Sequence, residues 1–474
     1  MCKFDELRRR LAAVGQEQLL RFWEELDDAG RAKLADQLEA IDFGELQRLI
    51  EEYVVRRPVT GIPADLAPAK WLPRKAPAGR EAYYDEAVRR GEEALRSGRV
   101  AFLTVAGGQG TRLGYNAPKG TYPIGPVSGR SLFAYFAGTL KRAGEKYGRR
   151  FDWYVMTSTV NRAATEAFFA EKKFFGLSPE QVFFFTQGSM PAIGSDGKVL
   201  LAAKDSLALS PDGHGGTLLA LRKSGALDRM KAAGVEVISY FQVDNPLAPL
   251  ADPLFIGLHL AERSDMSAIM LPKTGPEEKL GNFCVSGGRL HIIEYSDLPA
   301  ELGNRRNPDG SLMFLAGSPA IHMISRSFVE SLTASGTLKL PWHRADKKIP
   351  CLDEAGEPVT PSAPNGVKLE SFIFDALPLA PRTMLLEGER AECFAPTKNA
   401  TGVDSVESCR AMLVARDLRR LEAAGVKIPR AADGSADCLV EIAPEAAIDD
   451  GDVARYVAEH GLSGIASGAR LVLE

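Results

Sequence analysis

Residues 102–125 read FLTVAGGQGTRLGYNAPKGTYPIG, a short apolar run that breaks off into Gly107-Gly108-Gln109-Gly110. Phe102, Leu103, Val105 and Ala106 have the length and character of a buried strand, and the glycines after them carry almost no side-chain bulk. Backbone N–H groups in so bare a loop can approach an anion closely. Arg112 stands two residues after Gly110, and Lys119 follows in Pro118-Lys119-Gly120. Two fixed positive charges beside a glycine loop suit a polyphosphate.

Two better-known phosphate loops are excluded by the same residues. A Walker loop requires Lys-Ser or Lys-Thr after its last glycine, and none follows here. A dinucleotide fingerprint requires GxGxxG, whereas Gly108-Gln109-Gly110-Thr111-Arg112-Leu113 ends in leucine, and no acid stands about 20 residues on. From 94 to 144 the chain has no Asp or Glu at all, yet it holds Arg96, Arg99, Arg112, Lys119, Arg130, Lys141 and Arg142. That charge bias predicts an electropositive segment facing an anion.

A chain of 474 residues exceeds what one ordinary core fills, so two or three domains are expected. The formal net charge of −4 gives no support to a general nucleic-acid or membrane-surface role. The N-terminal residues form a charged helix pattern rather than a signal-peptide core, and no apolar run reaches 18 residues, which predicts a cytoplasmic protein. Cys2, Cys284, Cys351, Cys393, Cys409 and Cys438 lack CxxC spacing and read as reduced thiols rather than a disulfide frame or a zinc site.

Along the chain the pattern changes twice. Residues 5–52 read as helices, with Leu19, Phe22, Trp23 and Leu26 at helical spacing, and Pro58, Pro63, Pro68, Pro73 and Pro77 then mark an extended linker. From about 100 to 399, candidate strands at 102–106, 152–157, 182–185, 235–243 and 267–271 alternate with amphipathic stretches at 131–146, 161–174 and 216–232. Alternation at this spacing predicts an α/β fold with a mixed, mostly parallel sheet, whose ligands sit at the carboxyl ends of the strands. After 399 a long helix pattern at 405–424 precedes short apolar runs, a small C-terminal lobe containing β-structure. The expected division is 1–99, 100–400 and 401–474.

Two further stretches carry chemistry. Ser239-Tyr240-Phe241-Gln242-Val243-Asp244-Asn245-Pro246 runs a buried strand into a carboxylate, which either closes the strand as an Asx-turn or offers Mg²⁺ a hard oxygen ligand. Ser210-Pro211-Asp212-Gly213-His214-Gly215-Gly216 is a second glycine-rich loop, compatible with a plain turn.

AGGQGTRLGYNAPKG at 106–120 resembles the signature of the UTP-dependent sugar-1-phosphate uridylyltransferases, most closely the branch that makes UDP-N-acetylhexosamines. The resemblance returns downstream and covers nearly the whole chain. It implies a Rossmann-like nucleotidyltransferase core, with UTP and a sugar-1-phosphate as substrates, Mg²⁺ as cofactor and N-acetylglucosamine-1-phosphate as the leading sugar. It further implies that Arg112 and Lys119 face the leaving pyrophosphate, that Lys398 and Lys368 reach phosphates, and that Asp244 holds Mg²⁺. Gly107, Gly108, Gln187 and Gly213 would take the nucleotide, while His214, Glu294 and Ser318 would line the sugar. At His214 and Ser318 the family usually carries asparagine, which points to glucose-1-phosphate or a broad sugar range as the alternative. A nucleotide-sugar sensor without turnover would not need Arg112, Lys119, Asp244 and Lys398 together. Oligomeric state leaves no mark in the sequence.

Overall fold

The computed structural model describes residues 3–57 and 61–474, so Cys2 and Pro58 lie outside the described residues. The chain divides into two compact units: Met1–Gly61, Gln187–Gly216 and Lys339–Asp375 form one, and Ile62–Thr186, Thr217–Leu338 and Ala376–Glu474 form the other.

The larger unit is organised on one sheet of β1 (Ala67–Pro68), β2 (Val100–Val105), β3 (Trp153–Thr157), β4 (Val182–Thr186), β5 (Val237–Gln242), β6 (Met266–Pro272), β7 (Gly281–Ser286), β8 (Arg289–Ile293), β9 (Ala316–Ser318), β10 (His322–Ser325) and β11 (Thr383–Glu387). The strand order is β1-β7-β9-β6-β10-β5-β2-β3-β4, with β8 paired to β7 and β11 to β6. β2, β3, β4, β5, β6, β7 and β11 run in one direction and β1, β8, β9 and β10 in the other, a mixed sheet in which β5, β2, β3 and β4 form the parallel part that carries the glycine loop. Every residue of β2 and β3 is buried, as strands covered on both faces must be, which is why their sequence is a continuous apolar run.

Register decides where the chemistry emerges. Phe241 pairs with Thr104 and Gln242 with Val105, so β2 and β5 stop level, and the glycine loop and the Asp244 turn leave the sheet side by side. Helix Leu132–Tyr147 starts where the Ser131 hydroxyl accepts from the Ala134 N–H and stops at Gly148, whose φ is 65°. Its apolar face packs Phe133 and Phe136 onto Phe102, Trp153, Phe169 and Phe241. The expected helix at 216–232 is two, Thr217–Lys223 and Ala226–Ala232, broken at Gly225. The tail has its own core of Leu418, Leu421, Val440, Ile442, Val453 and Leu473, around a parallel pair formed by Cys438–Ile442 and Ala469–Leu473.

In the smaller unit, helices Lys3–Ala12, Asp28–Glu39 and Phe43–Leu49 bury Leu7, Leu11, Leu34, Leu38, Leu46 and Leu49 with Ile193, Val367 and Leu369. Those last three sit on the small sheet of His343–Lys347, Gly366–Glu370 and Ile193–Gly194, which supplies the partner surface the N-terminal helices need. The helical spacing of Leu19, Phe22, Trp23 and Leu26 does not produce one helix. It produces the short 3₁₀ turns Glu17–Leu20 and Trp23–Glu25, with Leu19, Leu20, Phe22 and Trp23 all buried.

Candidate active site

The glycine loop is folded back on the segment that carries Lys119. Gly110 N–H donates to Ala117 O at 3.0 Å, and Lys119 N–H donates to Gly108 O at 3.1 Å. Asn161, fully buried, braces the same turn: its Nδ2 donates to Ala106 O at 2.8 Å while its Oδ1 accepts from the Ser158 N–H. Gly108 is exposed, and a Cβ there would meet nothing within 4 Å, which leaves the backbone open to a ligand. Gly120 has the opposite reason to be glycine, since a Cβ would fall 2.2 Å from the Phe133 ring. Arg112 lies exposed in the turn Thr111–Leu113.

Lys119 meets Asp244 directly, Nζ to Oδ2 at 3.2 Å, with both side chains largely covered. Burial pushes the Asp244 carboxyl up, but the neighbouring charges of Lys119 and Lys398 outweigh it and hold the pKa below the usual carboxylate value. Lys398 also pairs with Asp404 at 3.5 Å and lies over the Phe394 ring. The Asp244 main chain is tied to the same segment, since Thr397 N–H donates to Asp244 O at 2.9 Å. Asn245, buried next door, donates to Cys393 O at 2.8 Å and accepts from the Ala395 N–H at 2.9 Å. The strand end and the Lys398 segment are thus held as one piece. Asn161 and Asn245 escape sequence reading, because both work through main-chain contacts far along the chain.

Glu294 and Ser318 are brought together elsewhere on the sheet. Ser318 pairs with Gly281, and a Cβ at Gly281 would lie 3.5 Å from Glu294 Oε1.

Gln187, Gly213, His214 and Lys368 belong to the smaller unit. Gln187 is buried, and Lys368 is half-buried on the strand Gly366–Glu370. Gly213 has φ 87°, and a Cβ there would fall 2.2 Å from Ser371 O, so only glycine fits. His214 accepts from the Ile373 N–H at its Nδ1 (3.1 Å) and stacks on Phe372, which in turn stacks on His343.

The basic stretch from 94 to 144 turns out differently from expectation. Arg96 pairs with Glu92, Arg99 with Glu236, Arg130 with Glu445 and Glu474, and Arg142 with Asp452. Most of its charge is answered by acids of the protein itself. Of the described cysteines all five are free thiols, and no cluster of three or more His, Cys, Asp or Glu that could hold a metal occurs among the described residues. No described helix is long and apolar enough to cross a membrane.

An α/β sheet that opens a glycine loop beside a Lys–Asp pair at its carboxyl edge is the architecture of a nucleotide-handling enzyme. The sequence profile of the UTP–glucose-1-phosphate uridylyltransferase family matches residues 72–443, and the chain belongs to that family and is an enzyme of the uridylyltransferase class. It is 39% identical over 444 residues to UDP-N-acetylhexosamine pyrophosphorylase-like protein 1 of Homo sapiens, covering 90% of this chain and 87% of that protein. It is 34% identical over 429 residues to UDP-N-acetylglucosamine pyrophosphorylase of Saccharomyces cerevisiae, covering 87% and 90%. The crystal structure of the uridine diphosphate N-acetylglucosamine pyrophosphorylase from Trypanosoma brucei, in complex with an inhibitor, superposes with a TM-score of 0.83 at 25% identity, covering 100% of this chain and 98% of that one.

Proposed function

We propose that this enzyme joins UTP to a sugar-1-phosphate, with N-acetylglucosamine-1-phosphate as the preferred sugar, releasing pyrophosphate. A phosphate oxygen of the sugar-1-phosphate attacks the α-phosphorus of UTP. The new O–P bond forms as the bond between the α-phosphorus and the bridging oxygen breaks, and the electron pair leaves with pyrophosphate. The contact that carries the reading is Lys119 against Asp244, 3.2 Å apart beside the glycine loop.

In this reading Arg112 and Lys119 neutralise the departing pyrophosphate, and Lys398 holds the α-phosphate and the sugar phosphate. Phosphoryl chemistry of this kind needs alignment and charge neutralisation more than an acid or base. Gly107, Gly108, Gln187, Gly213 and Lys368 take the nucleotide, the Gln187 amide offering one donor and one acceptor to a uracil edge. His214, Glu294 and Ser318 take the sugar.

Asp244 fits as the protein ligand of a Mg²⁺ ion. Its carboxylate is kept ionised by two lysines, and one protein carboxylate is enough for an ion that draws its other ligands from phosphates and water. When bound, Mg²⁺ would supply charge neutralisation across the triphosphate. Free thiols at Cys284, Cys393 and Cys409, all buried, suit a reducing cytoplasm.

A broader sugar range is the second reading, favoured by one observation. His214 Nδ1 is occupied as an acceptor for the Ile373 N–H and so is not an acceptor for a sugar, whereas an asparagine offers both a donor and an acceptor. Pyrophosphate release measured with UTP, Mg²⁺ and a panel of sugar-1-phosphates tests both readings. Absence of release with every sugar would sink the enzymatic proposal.

A further inference from the structure

The loop that follows Lys119 is held by a carboxylate from the C-terminal tail. Glu441 lies on the strand Cys438–Ile442, fully buried. Its Oε2 accepts from the Val127 and Ser128 N–H groups at 2.9 and 2.8 Å, and its Oε1 accepts from the Ser128 hydroxyl at 2.7 Å and the Tyr135 hydroxyl at 2.6 Å. Burial works against the charge of Glu441, and the four donors outweigh it, so the carboxyl stays below its usual pKa and remains ionised. Val440 and Ile442 on either side already pack the tail's apolar core. A buried charge there adds nothing to that packing, whereas it ties down two main-chain N–H groups of the loop, those of half-buried Val127 and exposed Ser128.

From these contacts the order passes to Lys119 in short steps. Ile124 and Gly125 N–H groups both donate to Arg130 O, at 2.8 and 3.0 Å, Leu132 N–H donates to Tyr122 O at 3.1 Å, and Tyr122 N–H donates to Lys119 O at 3.0 Å. The Arg410 guanidinium holds Ile124 O and Pro123 O at 3.2 and 2.7 Å. At Gly125 a Cβ would meet Ser128 Oγ at 2.5 Å and Glu441 Oε1 at 3.0 Å, so the loop closes onto the carboxylate without a side chain between. Arg130 reaches Glu445 and Glu474, and Arg142 reaches Asp452, all in the same tail. Two residues of the basic stretch that composition assigns to an anion site, Arg130 and Arg142, thus serve to dock this lobe.

We propose that Glu441 is a positioning residue for uridylyl transfer, fixing residues 122–131 and through them the place of Lys119 opposite Asp244. The inference rests on Lys119 being a pyrophosphate-side cation. Its structural half is tested without substrate, which separates its failure from a failure of the uridylyltransfer reading.

Amide hydrogen exchange of the full chain, with and without Glu441→Gln, gives the first readout. Faster exchange reaching from 130 back to 119 is expected, and a change confined to 438–442 and 469–473 overturns the proposal. Steady-state kinetics gives the second: Glu441→Gln should lower kcat by about 10²-fold, the scale of a misplaced catalytic group, with KM for UTP moving less than about threefold. Tyr135→Phe removes one of the four bonds and keeps the others, so it should shift both readouts in the same direction by a smaller factor even where Glu441→Gln folds poorly. Val453→Ala, in the tail core and touching neither loop nor Glu441, separates position from stability. It should lower the unfolding midpoint while leaving kcat and exchange at 119–130 as in the wild type. An equal loss of kcat in Val453→Ala and Glu441→Gln at matched stability would reduce Glu441 to a structural residue.

Discussion

Lys119 Nζ and Asp244 Oδ2 stand 3.2 Å apart, one on the loop that follows β2 and the other just past the end of the adjacent parallel strand β5, each charge holding the other in a partly covered place. Burial raises the Asp244 carboxyl, and Lys119, then Lys398, bring it below its ordinary value of 3.8. A carboxyl depressed on folding contributes stability that is complete above its unfolded pKa and is lost as pH falls through the folded one. Lys119→Met removes the larger cationic pull, so the acid limb of the unfolding curve should move to higher pH. Urea midpoints measured between about pH 3 and 7 check this direction. In the same variant kcat should fall by about 10²–10³-fold, the usual loss for a donor aimed at developing charge. Near-normal turnover would remove Lys119 from the chemistry.

Asp244 itself should govern the metal requirement. Asp244→Asn keeps the shape and the main-chain bond to Thr397 but gives up the charge that a hard cation needs. The Mg²⁺ concentration at half-maximal rate is expected to rise by about tenfold or more, with circular dichroism unchanged, the scale seen when metal-site groups are altered. A titration that superposes on the wild type would return Asp244 to a turn-closing role.

The positions of these two residues were legible from their local stretches, although their pairing across 125 residues was not. Gly108 and Lys119 share one loop, and the strand into Asp244 announces its own end. Asn161, Asn245 and Glu441 were not legible, since each acts on main-chain groups far away: Glu441 is 313 residues from Ser128. The basic run at 94–144 misled for the same reason, because the acids that answer Arg130 and Arg142 lie in the tail. Local periodicity failed at 19–26, where tertiary packing buries these side chains on two short 3₁₀ turns instead of one helix. The alternation of strands and helices survived, apart from the split at 216–232, because β2, β3 and β5 are almost wholly buried strands whose apolar runs are set by the sheet.

The loop Ser210 to Gly216 should tolerate no Cβ at Gly213. Its φ of 87° is strained for any other residue, and the new carbon would fall 2.2 Å from Ser371 O, a main-chain atom that cannot rotate away. Gly213→Ala is expected to destabilise the protein by about 1–3 kcal/mol. Chemical denaturation measures this, and a loss under about 0.5 kcal/mol, the range of ordinary surface changes, would mean the loop relaxes at little cost.

On the proposed assignment of His214 and Ser318 to the sugar, each bears on sugar choice through its own side chain. The Ile373 N–H points at His214 Nδ1, which fixes the tautomer with its proton on Nε2, and the ring is held further by its stack on Phe372. Where the resembling enzymes carry an asparagine amide, this chain therefore carries an imidazole whose Nδ1 is already engaged as an acceptor. At Ser318 the side chain is a short hydroxyl, to which the Ala320 N–H donates at 3.4 Å. A site that lacks a paired hydrogen bond to the acetamido group discriminates through shape, by about 1–3 kcal/mol, or roughly 10- to 200-fold. The ratio of kcat/KM for N-acetylglucosamine-1-phosphate over glucose-1-phosphate should fall in that range, with N-acetylgalactosamine- and galactose-1-phosphate also turned over. Restoring both amides in His214→Asn/Ser318→Asn should raise the ratio toward about 10⁴, the level of a site built around a hydrogen bond. A wild-type ratio already at about 10⁴ would show that the imidazole and the hydroxyl do the work of the two asparagines.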